Sequence, residues 1–156
     1  MLKCFGELWG KSQNKLYDYI LRNIEKFKYD GEYYSYNNII TFLLNFMYDN
    51  NSCSYNKIKF YNITEIDNGD YQGTLIFLIS LEDYLPCATN YLITYIDYGS
   101  CECCDALLAA TSYIDYDKKY AAKSILMICK DLISHIKKPY YSPGDEKFGL
   151  IEMEYK

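Results

Sequence analysis

The sequence predicts an α+β fold built on an antiparallel sheet. Three observations carry this. Apolar residues recur at three- and four-residue spacing up to about residue 48 and again after residue 104. Between 57 and 98 the period becomes that of strands. The strands also fall in a run instead of alternating with helices, which argues against a parallel α/β sheet. The expected order is two N-terminal helices, three strands, two helices after the third strand and a last strand. The sheet is therefore three- to four-stranded. A chain of 156 residues, half of them hydrophobic, has the length of a single domain, 1–156, with a buried core.

Ser12 is placed to cap a helix running to about Phe27, with Leu16, Tyr19, Ile20, Ile24 and Phe27 on its inner stripe. Asp30-Gly31 closes that segment. Ser35 is placed to cap a second helix over about 36–48, so apolar through Ile39, Ile40, Phe42, Leu43, Phe46 and Met47 that it should be central. Asp49-Asn50-Asn51-Ser52 reads as a loop. The first strand is expected near 57–66. Asn68-Gly69 then signals a tight hairpin with positive φ angles. The second strand, near 71–81, is too apolar at Thr74 to Leu81 for one face to meet water, so it should lie in mid-sheet or be covered on both faces. Pro86 marks a loop, and Tyr91 to Tyr98 forms the third strand. A short helix is expected from Cys104 to about Thr111 and a longer one from about Asp117, with Tyr120, Ile125, Ile128, Cys129, Leu132 and Ile136 inward. Pro139 and Ser142-Pro143-Gly144 break it, and Leu150 to Tyr155 reads as a last strand.

Composition excludes several classes of function. No apolar run is long enough to cross a membrane, so no membrane association is expected. The N-terminus lacks the pattern of a secretory signal. The seven cysteines, odd in number, read as free thiols in a reducing compartment, here expected to be a host cytoplasm. Tyr occurs 20 times, matching a chain biased toward residues with AT-rich codons. The net charge of −5 is unevenly distributed: residues 61–117 hold ten acids and no Lys or Arg. That segment cannot grip phosphates, so it is not expected to bind nucleic acid directly. It suits a cation or the basic surface of a partner protein.

The segment richest in chemistry is Tyr98-Gly99-Ser100-Cys101-Glu102-Cys103-Cys104-Asp105, between the third strand and the short helix. It resembles a Tyr-Gly-Ser-Cys-x-x-Cys-Asp signature of small uncharacterised phage and large-DNA-virus proteins. The matching positions are Tyr98, Gly99, Ser100, Cys101, Cys104 and Asp105. Gly69-Asp70-Tyr71-Gln72-Gly73 fits the same pattern upstream, and Cys103 stands where a small residue is expected. The resemblance covers about a third of the chain and implies a viral or phage origin, without implying a reaction.

Closed zinc coordination needs four ligands. Cys101 and Cys104 supply one pair, but Cys53 and Cys87 belong to the opposite end of an eight-residue strand, roughly 26 Å away. Cys103, Asp67, Asp70, Cys129 and His135 are the other candidate ligands, but no cofactor and no resident metal are expected. Cys-x-x-Cys at a helix start suits redox chemistry, but no βαβ unit surrounds it, and nearby carboxylates oppose the charge of a thiolate nucleophile. His135 is the only histidine and reads as a surface or capping group. No catalytic residue is assigned. The expected function is binding, and inhibition, of a basic host partner of the defence-nuclease type. The contact surface would be the acidic sheet end bearing Asp67, Asp70, Asp97, Glu102 and Asp105. A small thiol- or metal-dependent enzyme centred on Cys101 and Cys104, or a virion component, are the alternatives. Partner identity and oligomeric state are not written in the sequence.

Overall fold

The computed structural model describes residues 2–49, 62–81, 90–142 and 147–152. Cys53, Cys87, the Pro86 loop and the 57–61 portion of the first expected strand lie outside them. Helix α1 spans Leu2–Arg22 and runs into a 3-10 turn at Ile24–Phe27; α2 spans Tyr36–Asp49. Strands β1 (Asn62–Asp67), β2 (Gly73–Ser80) and β3 (Tyr91–Tyr98) follow. Then come α3 (Ala106–Ser112), α4 (Lys118–Ser134), β4 (Lys137–Ser142) and β5 (Lys147–Glu152). The protein is α+β, with two helices before the strands and two after β3, as the sequence predicts.

The described strands form one sheet in the order β1-β2-β3-β4-β5, with every neighbouring pair antiparallel. The five strands exceed expectation by β4, which contains Pro139. Proline has no N–H to give a ladder, and the β3–β4 ladder is registered at a single pair, Ile93 with Lys137. The last strand begins three residues earlier than its apolar pattern suggested, because Lys147 pairs with Ser142.

β2 lies between β1 and β3, as its apolar run predicts. Leu75, Phe77 and Ile79 alternate into the core, opposite Ile96, Thr94 and Leu92 of β3. They join Leu16, Ile20, Ile39, Leu43, Ile125 and Leu132 of the helices in one cluster. Thr94, fully buried, donates its hydroxyl hydrogen to the Leu132 carbonyl. That bond satisfies a carbonyl at the C-terminal turn of α4 and fixes the helix against the sheet.

Three local expectations fail. Tyr120, expected on the inner stripe of α4, is half-exposed and packs on Tyr113, while its neighbours Ala121 and Ala122 take the buried positions of that turn. Ser12 does not cap a helix; it is buried in the middle of α1. The inward stripe starts earlier, at Phe5, and continues through the partly buried Leu8 and Trp9 to Leu16 and Ile20. Nor is Asn68-Gly69 a two-residue hairpin turn, since no described glycine has positive φ. The last β1–β2 pair is Asp67 with Leu75, which leaves a wider loop. Asp67 accepts the Gly69 N–H at 3.0 Å, and the Asn68 side chain accepts the Thr74 N–H at 2.8 Å. Glycine is needed at 69 because a Cβ there would collide with the Gln72 carbonyl.

Other local signals hold. Ser35 Oγ accepts the Asn38 N–H at 3.0 Å at the start of α2. Asp117 accepts the Lys119 and Tyr120 N–H groups at 3.1 and 3.0 Å at the start of α4. Among the described residues no helix is long and apolar enough to cross a membrane.

Candidate functional site

The antiparallel order brings the end of β1, the start of β2 and the end of β3 to one end of the sheet. The signature loop leaves β3 there. Cys101 to Cys104 make a turn before α3, with the Cys104 and Asp105 N–H groups both bonded to the Cys101 carbonyl at 2.9 Å. This turn delays α3 to Ala106, two residues later than the sequence indicated.

Asp105 ties the loop down. Its Oδ1 accepts the Leu108 N–H at 2.8 Å, capping α3, and the Tyr36 hydroxyl at 3.1 Å. Its Oδ2 accepts the Gly99 N–H at 3.3 Å. The buried Tyr36 oxygen in turn accepts the Leu107 N–H at 3.0 Å. Burial pushes the Tyr36 phenol up, so it keeps the proton it donates. One carboxylate thus joins α2, the end of β3 and α3. Gly99 is the other fixed point: a Cβ there would lie 2.6 Å from both the Cys104 carbonyl oxygen and its Sγ. Only glycine allows that approach.

The five carboxylates expected at this end divide by role. Asp67, Asp70, Asp97 and Glu102 are exposed, whereas Asp105 is half-buried. Asp67 accepts the Tyr98 hydroxyl at 2.7 Å. That bond holds the carboxyl low and, as its first cause, pushes the Tyr98 phenol up to about 12. Asp97 accepts the Thr74 hydroxyl at 2.7 Å. Asp67 and Asp97 point to opposite faces, because Asp67 shares the row of Leu75 and Ile96 while Asp97 is one residue out of step. None of the five forms an ion pair with a described residue. The ion pairs among described residues lie elsewhere: Lys26–Glu32, Lys28–Glu25, Lys28–Asp115 and Lys118–Glu25. Folding therefore brings Lys28 onto Asp115 of the acid-rich segment, at 2.6 Å, and among the described residues gives the sheet end no such partner.

Beside the loop lies a cavity of about 260 Å³. Glu65 and Asp105 line it with Tyr34, Tyr36 and the Gly99-Ser100 segment, over Leu75 and Leu107. Sequence reasoning missed Glu65 and the two tyrosines. Glu65 could have been found by alternation, since it shares a strand face with Asp67. Tyr34 and Tyr36 come from a distant helix start and carried no signal.

The three thiols of the loop also converge. The Sγ atoms of Cys101, Cys103 and Cys104 all lie within 4.8 Å of one another, with Cys101 and Cys103 at 3.0 Å, and all three residues are exposed. Cys129 is different: burial pushes its thiol up to about 12, and it serves as a small core hydrophobe. His135 caps the end of α4, stacks on Tyr95 with ring centroids 4.3 Å apart, and faces the Tyr95 carbonyl through Nδ1 at 3.2 Å. Tyr95 precedes Tyr98 by three residues, about 10 Å of strand. The described histidine is therefore not a base for these thiols. No family model matches the chain, and neither a curated protein nor a solved structure matches it.

Proposed function

We propose that the protein acts by binding a basic partner at the acidic end of its sheet, and that the cavity beside the signature loop receives a Lys or Arg side chain of that partner. The observation that carries this reading is the lining of the cavity. Glu65 and Asp105 offer carboxylates to a cationic head, while Leu75 and Leu107 offer apolar surface to its methylene stem. Around it, Asp67, Asp70 and Glu102 are exposed without a described cation beside them. Such a field steers a basic protein and accelerates its association. With the resemblance of the signature segment, we propose a viral or phage accessory protein working in the host cytoplasm. Enzymes that grip nucleic acid present basic grooves, and an acidic protein seated in one blocks it. A defence nuclease of the host is the partner class that this reading favours.

The test is affinity capture from host lysate at low and raised salt, followed by association kinetics with the captured protein. Asp70→Lys with Glu102→Lys is compared with Glu7→Lys with Asp131→Lys, exposed acids on α1 and α4. Asp70 and Glu102 are preferred to Asp67, whose carboxylate holds Gly69 and Tyr98. The first pair should slow association and flatten its salt dependence while the second leaves both unchanged. Equal effects of the two pairs would make the acidic end a solvated face only.

A further inference from the structure

We propose that Cys101, Cys103 and Cys104 form a three-thiolate site for a thiophilic divalent cation of the zinc class, with the fourth position open to water or an outside ligand. This inference is independent of the partner-binding reading.

Cys103, which departs from the signature, is the residue that changes the ligand count. Cys101 and Cys104 alone are a pair, whereas with Cys103 three Sγ atoms lie within 4.8 Å of one another. Zinc–sulfur bonds of about 2.3 Å in a tetrahedron place the sulfurs about 3.8 Å apart. The Cys101–Cys103 pair at 3.0 Å has to open by only about 0.8 Å to reach that spacing. All three cysteines are exposed, so side-chain rotation is free to change these separations, the widest of which is at most 4.8 Å. A site with three protein ligands and an open fourth position is the arrangement in which zinc keeps an exchangeable ligand.

The loop already contains an outer shell. The Cys101 N–H points at Cys104 Sγ at 3.2 Å, and the Cys104 thiol donates to the Cys101 carbonyl at 3.3 Å; on metal binding that thiol gives up its proton, the second contact is lost and the first remains to stabilise the thiolate. Gly99 leaves the space that Cys104 Sγ fills. Charge selects the cation. Three thiolates with a monovalent ion carry −2 and with a divalent ion −1, and the surrounding acids penalise the former more. Binding releases up to three protons from the thiols to water and changes no oxidation state.

The experiment uses the full-length chain, reduced and free of oxygen. Zn²⁺ is titrated against a chromogenic chelator, and Cd²⁺ is followed by thiolate-to-metal charge-transfer absorption. One ion per chain should bind. The Zn²⁺ affinity should fall by about 100-fold or more in Cys101→Ser and in Cys103→Ser, since loss of an outer-shell partner alone costs 10- to 100-fold. A Cys53→Ser, Cys87→Ser double variant should bind as the parent does. On the unmodified chain, Zn²⁺ should slow alkylation of Cys101, Cys103 and Cys104 together, read by peptide mass. An unchanged affinity in the Cys101→Ser, Cys103→Ser, Cys104→Ser triple variant, or alkylation of the three unaffected by Zn²⁺, would overturn the proposal.

Discussion

Replacing Asp105 by alanine should cost far more stability than its half-exposed position suggests. The carboxylate caps α3 through Leu108, and loss of an N-cap costs about 1 kcal/mol. It is also the acceptor of the Tyr36 hydroxyl. Tyr36 is only 5% exposed, so the variant leaves a buried donor with no acceptor, at about 1–3 kcal/mol. The Gly99 N–H loses its partner as well. These sites are neighbours and their costs are not additive, so about 2–4 kcal/mol is expected in total. With a urea slope near 2 kcal/mol/M, the midpoint should fall by about 1–2 M. Asp105→Asn is the discriminating variant. Its amide oxygen still accepts from Leu108 and Tyr36, but its NH₂ faces the Gly99 N–H, so about 1 kcal/mol should be lost. Equilibrium urea unfolding followed by circular dichroism measures both. If Asp105→Ala shifts the midpoint no more than Asp105→Asn does, the carboxylate is not the tie between α2, β3 and α3, and the reasoning fails.

Three further outcomes follow from the same contacts. Gly99→Ala should destabilise by about 1–3 kcal/mol, and a second change, Cys104→Ala, should not restore the loss because the Cys104 carbonyl still lies 2.6 Å from the new Cβ; urea midpoints of the single and double variants decide it. Thr94→Val keeps the shape of a buried strand residue but leaves the Leu132 carbonyl without its donor, so about 1–3 kcal/mol should be lost, with unfolding midpoints as the check. Lys118 first and Lys28 second hold the Glu25 carboxyl at about 2, below its usual 4.5. A group lowered on folding stabilises above its unfolded value and loses that contribution as pH falls through the folded one. Stability should therefore decline between about pH 4.5 and 2, less steeply in Glu25→Gln; equal acid slopes for the two proteins in urea titrations would contradict this.

The sequence by itself determined what is local. Ser35 and Asp117 each mark a helix start because an N-cap interaction spans only two or three residues. Tyr91–Tyr98 was legible as a strand because it is rich in aromatic and β-branched residues and ends at a glycine. The common end of β1, β2 and β3 followed from reading those strands as an antiparallel run. Where a local signal misled, a longer-range one had won. Ser12 looked like a cap, but burial of the Phe5 to Ile20 stripe extends the helix past it. Asn68-Gly69 looked like a tight hairpin, but pairing of Asp67 with Leu75 sets a wider loop. Tertiary structure alone decided which groups meet. It set Lys28 against Asp115, 87 residues away, and Tyr36 against Asp105, 69 away. It put Glu65 beside the signature loop, placed Asp97 on the opposite face from Asp67, and folded Cys103 back onto Cys101 and Cys104. Caps and alternation act over a few residues and are written in the order of the chain. A cavity or an ion pair between distant segments depends on how layers pack, which no short window of sequence contains; the three thiols share one short window, and only the closing of its loop makes them converge.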